Sequence, residues 1–156
     1  MEEKICYCDV VDKKIDNVIL VSKGDKLWKL GWRSAGYKPI QIEKGWERIK
    51  SSDLKTVPIL SQAKKELEEY LAGDRQQFDV PLLIEGTDFR KQIWEILKEK
   101  VLYGETVTYS ELGKLAGKES SVGEDWHVSR AIGSAMGKVY FSTVSVFIMT
   151  RFLFFL

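Results

Sequence analysis

The residues best suited to recognising a large partner lie on one predicted helix, from about residue 126 to residue 137. Arg130, Gly133, Ser134 and Gly137 recur at i, i+3, i+4 and i+7, so they share one helical face. On that face Arg130 is the one long side chain, and its neighbours are glycine or serine. The helix backbone could therefore approach a surface closely while the arginine reaches into it. A nucleic-acid groove fits this shape, with the arginine as a wedge or as a substitute for a base. In the alternative interpretation, the small residues pack against another helix and Arg130 is only solvated.

A second short helix is predicted just before this one. Thr108 and Glu111 have the spacing of a capping box, which satisfies backbone N–H groups at a helix start. The helix would end at Gly117, and a polar loop, Lys118–Asp125, would lead to the helix over residues 126–137. The pair predicts a helix-turn-helix, although the loop is longer than a usual turn. The residues predicted to pack inside are Leu112, Leu115, Ala116, Ile132, Ala135 and Met136.

The two cysteines do not indicate a second chemistry. Cys6 and Cys8 are one residue apart, too close for a disulfide that would stabilise a fold. His127 is the only histidine, so these cysteines lack partners for a four-ligand zinc site. We expect ordinary thiols on an N-terminal strand, no metal and no cofactor.

Composition narrows the class of protein. The 156 residues are 44% hydrophobic, which excludes a disordered chain. Lys and Arg number 24 against 23 Asp and Glu, so a polybasic tail is excluded and any nucleic-acid contact must be local. Because no apolar stretch follows Met1 as in a signal peptide, we expect a cytoplasmic location.

The first half of the chain is predicted to be rich in strands and to end in a helix. The helix, Ser61–Ala72, would have Ser61 as N-cap and Gly73 after its last turn. The strands expected are Lys4–Val11, Val18–Ser22 and Lys26–Trp32, the last of which alternates apolar with polar or small residues. A polar turn is expected at Lys13–Asn17, a break at Gly36–Pro39, and two short stretches at Ile40–Ile42 and Trp46–Ile49.

An extended segment is predicted to join the two halves. Pro81 confines Gln76–Ile84 to a sheet edge or a linker. After it, Thr87 could cap another helix with an inward apolar stripe. That stripe is Phe89, Ile93, Trp94 and Leu97.

Together these motifs resemble the O6-alkylguanine-DNA alkyltransferases, the methylated-DNA–protein-cysteine methyltransferases that repair O6-methylguanine. The resemblance covers about residues 61–138, with the motifs in order. They read Leu67-x-x-Tyr70-x-x-Gly73, Phe78-x-x-Pro81-Leu82, Gly86-Thr87-x-Phe89, Trp94-x-x-Leu97, Tyr103-Gly-Glu-Thr106, Thr108-Tyr109-x-Glu111-Leu112, Ala116-Gly117 and Arg130-Ala-Ile-Gly-Ser-Ala-Met136.

The resemblance implies an α+β fold with two domains. A ribonuclease-H-like α/β domain would occupy residues 1–80, and a helical domain with the helix-turn-helix would occupy residues 81–138. The implied partner is the minor groove of double-stranded DNA carrying O6-alkylguanine, with the target base flipped out of the stack. We expect a monomer without membrane contact.

The resemblance also assigns roles to single residues. Arg130 matches the arginine that fills the space left by the flipped nucleotide, and Tyr109 matches the tyrosine that crowds its phosphate. Alternatively, Tyr109 packs on Trp94 and has only a structural role. The other residues expected to contact DNA are Thr108, Ser110, Ala131, Gly133 and Ser134.

The acceptor segment of the family does not occur in this sequence. In the family, Asn-Pro and then Pro-Cys-His-Arg follow the recognition helix, and this cysteine accepts the methyl group as a thiolate. The acceptor would fall near Phe147, but no cysteine or histidine follows His127 and no Asp or Glu follows Asp125. As written, the chain is therefore expected to be inactive in the family's reaction.

Residues 139–156 form an atypical apolar tail. A change of reading frame after Lys138 is the most economical interpretation, because agreement with the family stops abruptly there. A membrane anchor is a poorer one, since Ser, Thr and Arg151 interrupt the run. Such a tail would expose apolar surface and favour aggregation.

Two functions remain open, and a third is disfavoured. The first is a DNA repair methyltransferase by descent that lacks its catalytic segment. The second is a non-enzymatic binder of O6-alkylguanine lesions, like the alkyltransferase-like proteins. An unrelated helix-turn-helix regulator would need base-reading side chains, which are nearly absent from the outer face of residues 130–137.

Overall fold

The computed structural model describes residues 3–12, 16–33, 40–101, 105, 107–117 and 125–137. A four-stranded sheet comes first and three helices come last. In chain order the elements are β1 (Ile5–Asp12), β2 (Asp16–Lys23), β3 (Lys26–Trp32), β4 (Glu47–Arg48), a 3₁₀ helix (Ser51–Thr56), α1 (Pro58–Ala72), α2 (Asp88–Lys100), α3 (Tyr109–Leu115) and α4 (Asp125–Gly137).

The sheet is mixed, with strand order β3-β2-β1-β4. β2 lies antiparallel to both β1 and β3, whereas β4 runs parallel to β1. The three long strands were predicted from the sequence, and the mixed sheet with separate helices confirms the α+β class.

The shorter predictions of strands and turns were less accurate. Trp46–Ile49 is reduced to two strand residues, and Ile40–Ile42 forms no strand. Asp16 and Asn17 belong to β2 rather than to a turn, because they pair with the end of β1. Residues 13–15 and the predicted break at 36–39 lie outside the described part of the chain.

Helix α1 covers one face of the sheet. Alternate residues of β1, Cys6 and Cys8, are buried there against Leu60 and Ala63 of the helix. The predicted N-cap Ser61 is wrong: the helix begins at Pro58, and the amide of Ser61 donates to the Val57 carbonyl at 3.1 Å. Proline at the first helical position has its φ already set for a helix, which explains the earlier start.

The end of α1 agrees with the prediction. Gly73 has a φ of 90°, the left-handed conformation in which glycine ends a helix without strain. Its amide donates to the Tyr70 carbonyl at 3.0 Å.

The opposite face of the sheet is covered by a loop. Tyr7, Ile19 and Val21 are buried on this side beneath Trp46 and other partly buried side chains. Within that loop Ile40 lies so close to β3 that a Cβ on Gly31 would be 2.9 Å from its Cγ1 atom. Only glycine fits at this position of the strand without moving Ile40.

A buried carboxylate fastens the segment that follows α1. Glu66 is 3% exposed and accepts the amides of Asp79 at 2.8 Å and Val80 at 3.2 Å. Gln62 donates to its other oxygen at 2.8 Å. These hydrogen bonds hold the beginning of the predicted linker against the first core.

The linker then runs beside the edge strand β3. Leu27 donates to the carbonyl of Pro81, and Leu83 donates to the carbonyl of Leu27, both at 2.9 Å. Pro81 thus lies at a sheet edge, where its missing N–H costs no ladder hydrogen bond.

The last three helices enclose a second core. Leu97 of α2, Leu112 of α3 and Ile132 of α4 are each at most 1% exposed. Leu115 was predicted to be inside but is 49% exposed, because Leu112 and Ala116 already form the inner face of the short α3. Among the described residues, no helix is long and apolar enough to cross a membrane.

Replacing Glu66 with alanine should destabilise the protein by about 2 to 3 kcal/mol, because two backbone amides lose a charged acceptor. Urea unfolding measures the change. The matched control is Glu68→Ala on the same helix, where an exposed ion pair with Lys64 at 3.7 Å is lost at a cost of about 0.5 kcal/mol or less. Equal losses in the two variants would contradict a fastening role for Glu66.

Candidate nucleic-acid interface

The start of α3 is fixed by a complete capping box. The hydroxyl of Thr108 accepts the amide of Glu111 at 3.1 Å, and the Glu111 carboxylate accepts the amide of Thr108 at 2.8 Å. The hydroxyl also donates to that carboxylate at 2.8 Å, so Thr108 is already engaged locally. These hydrogen bonds from Thr108 hold the pKa of Glu111 below its ordinary value. The cap places Tyr109 at the first position of the helix.

Helix α4 presents two distinct faces. Ile132, Ala135 and Met136 are buried, as the sequence predicted. Arg130, Ala131 and Ser134 are exposed on the opposite side. The small residues of this face therefore do not pack against another of the described helices, which removes the alternative interpretation for Ala131 and Ser134.

The structure brings Tyr109 of α3 against Gly133 of α4. A Cβ on Gly133 would lie 3.3 Å from Cε2 of the tyrosine ring and 3.6 Å from Cδ2. The ring is nevertheless 47% exposed, so one side contacts the helix and the other is accessible. Gly133 is thus half-buried by Tyr109 rather than open to a partner. The sequence did not predict this contact, since no local pattern relates the two positions.

Trp94 fixes α4 from the inside. Its indole is 2% exposed, and Nε1 donates to the carbonyl of Ala135 at 3.2 Å. A buried indole N–H needs an acceptor, a requirement that could have been read from the sequence, although the partner could not. The tyrosine ring lies over Gly133 and is 47% exposed, and its alternative role, packing on Trp94, stays a prediction.

The resulting surface combines one cation, one aromatic ring and a nearly bare helix backbone. Arg130 is exposed and makes no ion pair with the residues the structure describes. Ser110, the second residue of α3, is partly buried. Of the predicted loop Lys118–Asp125, residues 118–124 lie outside the described part of the chain. Asp125 belongs to α4, which begins one residue earlier than predicted.

Neither cysteine is an activated nucleophile. Both thiols are buried on β1. Burial raises the pKa of Cys8 to about 12 and also raises that of Cys6, so both are protonated at neutral pH. No cluster of three or more metal-binding side chains occurs among the described residues.

Comparison with known proteins gives the family. The sequence profile described as "6-O-methylguanine DNA methyltransferase, ribonuclease-like domain" matches residues 6–84, half of the chain. The chain belongs to the methylated-DNA–protein-cysteine methyltransferase family. The match confirms the predicted N-terminal ribonuclease-like fold of this family member.

Individual relatives extend the match beyond that domain. A methylated-DNA–protein-cysteine methyltransferase of Methanosarcina acetivorans is 38% identical over 102 residues, 64% of this chain and 60% of the relative. The constitutive enzyme of Bacillus subtilis is 35% identical over 89 residues, 57% of this chain and 49% of its own length. The chain therefore spans about half to three fifths of these two methyltransferases.

Solved structures of the family align with both halves of the fold. The crystal structure of Mycobacterium tuberculosis OGT in complex with DNA covers 85% of this chain and 70% of its own, with a TM-score of 0.64 and 29% identity. A crystal structure of the Mycobacterium tuberculosis O6-methylguanine methyltransferase, with the same coverage of both chains, aligns with a TM-score of 0.65 and 28% identity.

Replacing Thr108 with alanine should destabilise α3 by about 1 kcal/mol, since the N-cap acceptor is lost. Hydrogen exchange of the α3 amides measures the loss, and Thr108→Ser is the control that should retain protection. Because the pKa of Glu111 is lowered, its share of the cap should persist above about pH 4.5, its ordinary value, and fade as the pH falls below it. Unchanged protection in Thr108→Ala would contradict the capping role.

Proposed function

We propose that this chain is a DNA repair protein by descent whose α3–α4 surface binds the minor groove of double-stranded DNA carrying O6-alkylguanine. The observation that supports this most strongly is the contact of Tyr109 with Gly133 beside the exposed Arg130. The ring and the cation lie on a face of small residues, which a groove can approach closely. Independent support for DNA binding comes from the relative that was solved with DNA, because its aligned region includes most of this chain.

Within this proposal, α3 and α4 have different roles in base flipping. Arg130 would enter the stack in place of the flipped nucleotide, while Tyr109 would crowd the phosphate of that nucleotide. Ala131, Gly133 and Ser134 would lie against the groove walls. Thr108 and Ser110, at the start of α3, would lie beside the phosphate backbone.

The proposed domains correspond to the two hydrophobic cores, one around the sheet and α1 and the other among α2, α3 and α4. We infer a ribonuclease-like domain over residues 1–80 and a helical domain over residues 81–138 in which α3 and α4 form a helix-turn-helix. A monomer in the cytoplasm is the form in which this protein would meet DNA.

We further propose that the chain as written does not transfer the methyl group. In the family reaction a thiolate forms a bond to the methyl carbon while the bond from that carbon to guanine O6 breaks, which restores guanine. Position 147, near which the acceptor would fall, is phenylalanine. Cys6 and Cys8 are protonated thiols in the other core, so neither replaces it.

A non-enzymatic lesion binder is the second candidate. It is favoured by the retained pair of Tyr109 and Arg130, which would flip a base even without a thiol. It is disfavoured by the loss of the whole family segment after Lys138, since alkyltransferase-like proteins usually replace the cysteine alone.

Incubation with a duplex containing O6-methylguanine should leave the mass of the protein unchanged in an intact-protein mass spectrum. A gain of one CH2 would overturn the inactive assignment.

Sequencing the gene beyond the Lys138 codon shows how the tail over residues 139–156 arose. A second reading frame that encodes Asn-Pro and Pro-Cys-His-Arg would identify a methyltransferase with a disrupted frame. If no such frame exists and the lesion duplex is still preferred, the non-enzymatic binder is the better description.

Replacing Arg130 with alanine should abolish the preference for the lesion duplex over an unmodified duplex, while most of the salt-dependent binding remains. Fluorescence anisotropy with the two duplexes at several salt concentrations measures both quantities. The matched control is Lys114→Ala, which removes an exposed cation from the last turn of α3. Equal losses on the two duplexes in Arg130→Ala would rule out the wedge assignment.

A further inference from the structure

Glu85, the residue that directly follows the linker Gln76–Ile84, attaches this segment to the sheet. Its carboxylate accepts a hydrogen bond from Nε1 of Trp28 at 2.9 Å and one from Nζ of Lys23 at 3.1 Å. Just before it, the backbone of Pro81 and Leu83 is hydrogen-bonded to Leu27. Side chain and backbone therefore hold this end of the linker on the sheet.

The groups that hold Glu85 are themselves held in place. Nζ of Lys29 lies 3.8 Å from the centroid of the Trp28 ring, and the Trp46 ring lies 5.7 Å from it. Although partial burial opposes it, the hydrogen bonds from Lys23 and Trp28 keep the pKa of Glu85 below its ordinary value. At neutral pH the carboxylate is thus an ionised acceptor facing a fixed donor.

The next residue, Gly86, contacts the second core directly. A Cβ on Gly86 would lie 3.1 Å from both Cη2 and Cζ3 of Trp94. The other end of the same indole donates to the carbonyl of Ala135 in α4. One continuous series of contacts therefore leads from the sheet through Glu85, Gly86 and Trp94 to the helix that carries Arg130.

We propose that Glu85 is a positioning residue that fixes the orientation of α4, and so of Arg130 and Tyr109, relative to the ribonuclease-like domain. The inference rests on the proposed DNA-binding function and adds the part played in it by the sheet. Without the carboxylate, the sheet holds this segment only through the backbone hydrogen bonds of Leu27 with Pro81 and Leu83. Gly86 lies beyond them, and a glycine does not restrict φ and ψ. The helical domain then samples several orientations, and each binding event must select one of them.

The structure offers a closely matched pair of variants for the test. Glu85→Ala removes a half-exposed carboxylate that forms an ion pair with Lys23. Glu47→Ala also removes a half-exposed carboxylate, and with it an ion pair to Lys4 at 2.6 Å. The side chains of both glutamates are 50% exposed, and each variant changes the net charge equally. Only Glu85 is connected to the linker, so a difference between the variants reports positioning rather than charge.

Residual dipolar couplings of the full chain report orientation without DNA. In the unmodified protein and in Glu47→Ala, one alignment tensor should fit the amides of β1–β3 and of α2–α4 together. In Glu85→Ala the two groups should need different tensors, although circular dichroism shows both variants folded. A single tensor in Glu85→Ala would overturn the proposal.

Duplex affinity then tests the consequence for binding. Glu85→Ala should weaken binding to the lesion duplex roughly three- to tenfold, within the range known for mutations that act on coupling at a distance. Glu47→Ala should not weaken it, and Glu85→Gln, which keeps an acceptor for Trp28, should recover most of the loss. If Glu85→Ala binds as tightly as Glu47→Ala, the positioning role is wrong. If the unmodified protein does not bind the lesion duplex, the DNA-binding function fails instead, and the dipolar couplings alone decide the role of Glu85.

Discussion

The surface of α3 and α4 depends on one buried indole. Trp94 occupies the second core with its N–H on the Ala135 carbonyl and one edge of its ring against Gly86. Rotation of α4 about its axis would break that hydrogen bond in a place that water does not reach, where an unpaired donor costs on the order of 1 to 3 kcal/mol. The exposed position of Arg130 is therefore a consequence of packing on the inner side of the same helix.

We propose that the ribonuclease-like domain positions this surface through the linker and the adjoining Glu85. Glu66 holds the backbone of Asp79 and Val80, Leu27 holds Pro81 and Leu83, and Trp28 holds Glu85. A segment attached at three points loses little further freedom on binding, which is the physical advantage of a preorganised site. The contacts of this segment with the first core and with Trp94 of the second core therefore lie within a few residues of each other.

Much of the fold could be predicted from sequence because its signals are local. Apolar stretches predicted β1 and β2, alternation predicted β3, and the spacing of Thr108 and Glu111 predicted the start of α3, where both reciprocal hydrogen bonds are present. Errors occurred where a non-local effect decided the outcome. Leu115 is apolar and helical, yet two neighbours already fill the inner face, and the two-residue β4 exists only because β1 offers it a partner. Ser61 was a local error, since Pro58 gives the stronger start signal three residues earlier.

The sequence by itself determined the chemistry that this chain has available: a lone arginine among small residues on α4, a capped tyrosine on α3, and a phenylalanine near the position of the family's acceptor thiol. These are properties of residue type and spacing, so they need no coordinates. Only the tertiary structure decided that Tyr109 lies on Gly133, that Trp94 donates to Ala135, and that Glu85 reaches Trp28. Each of these contacts joins residues far apart along the chain, and their approach is set by how whole helices and strands pack, which no local pattern encodes.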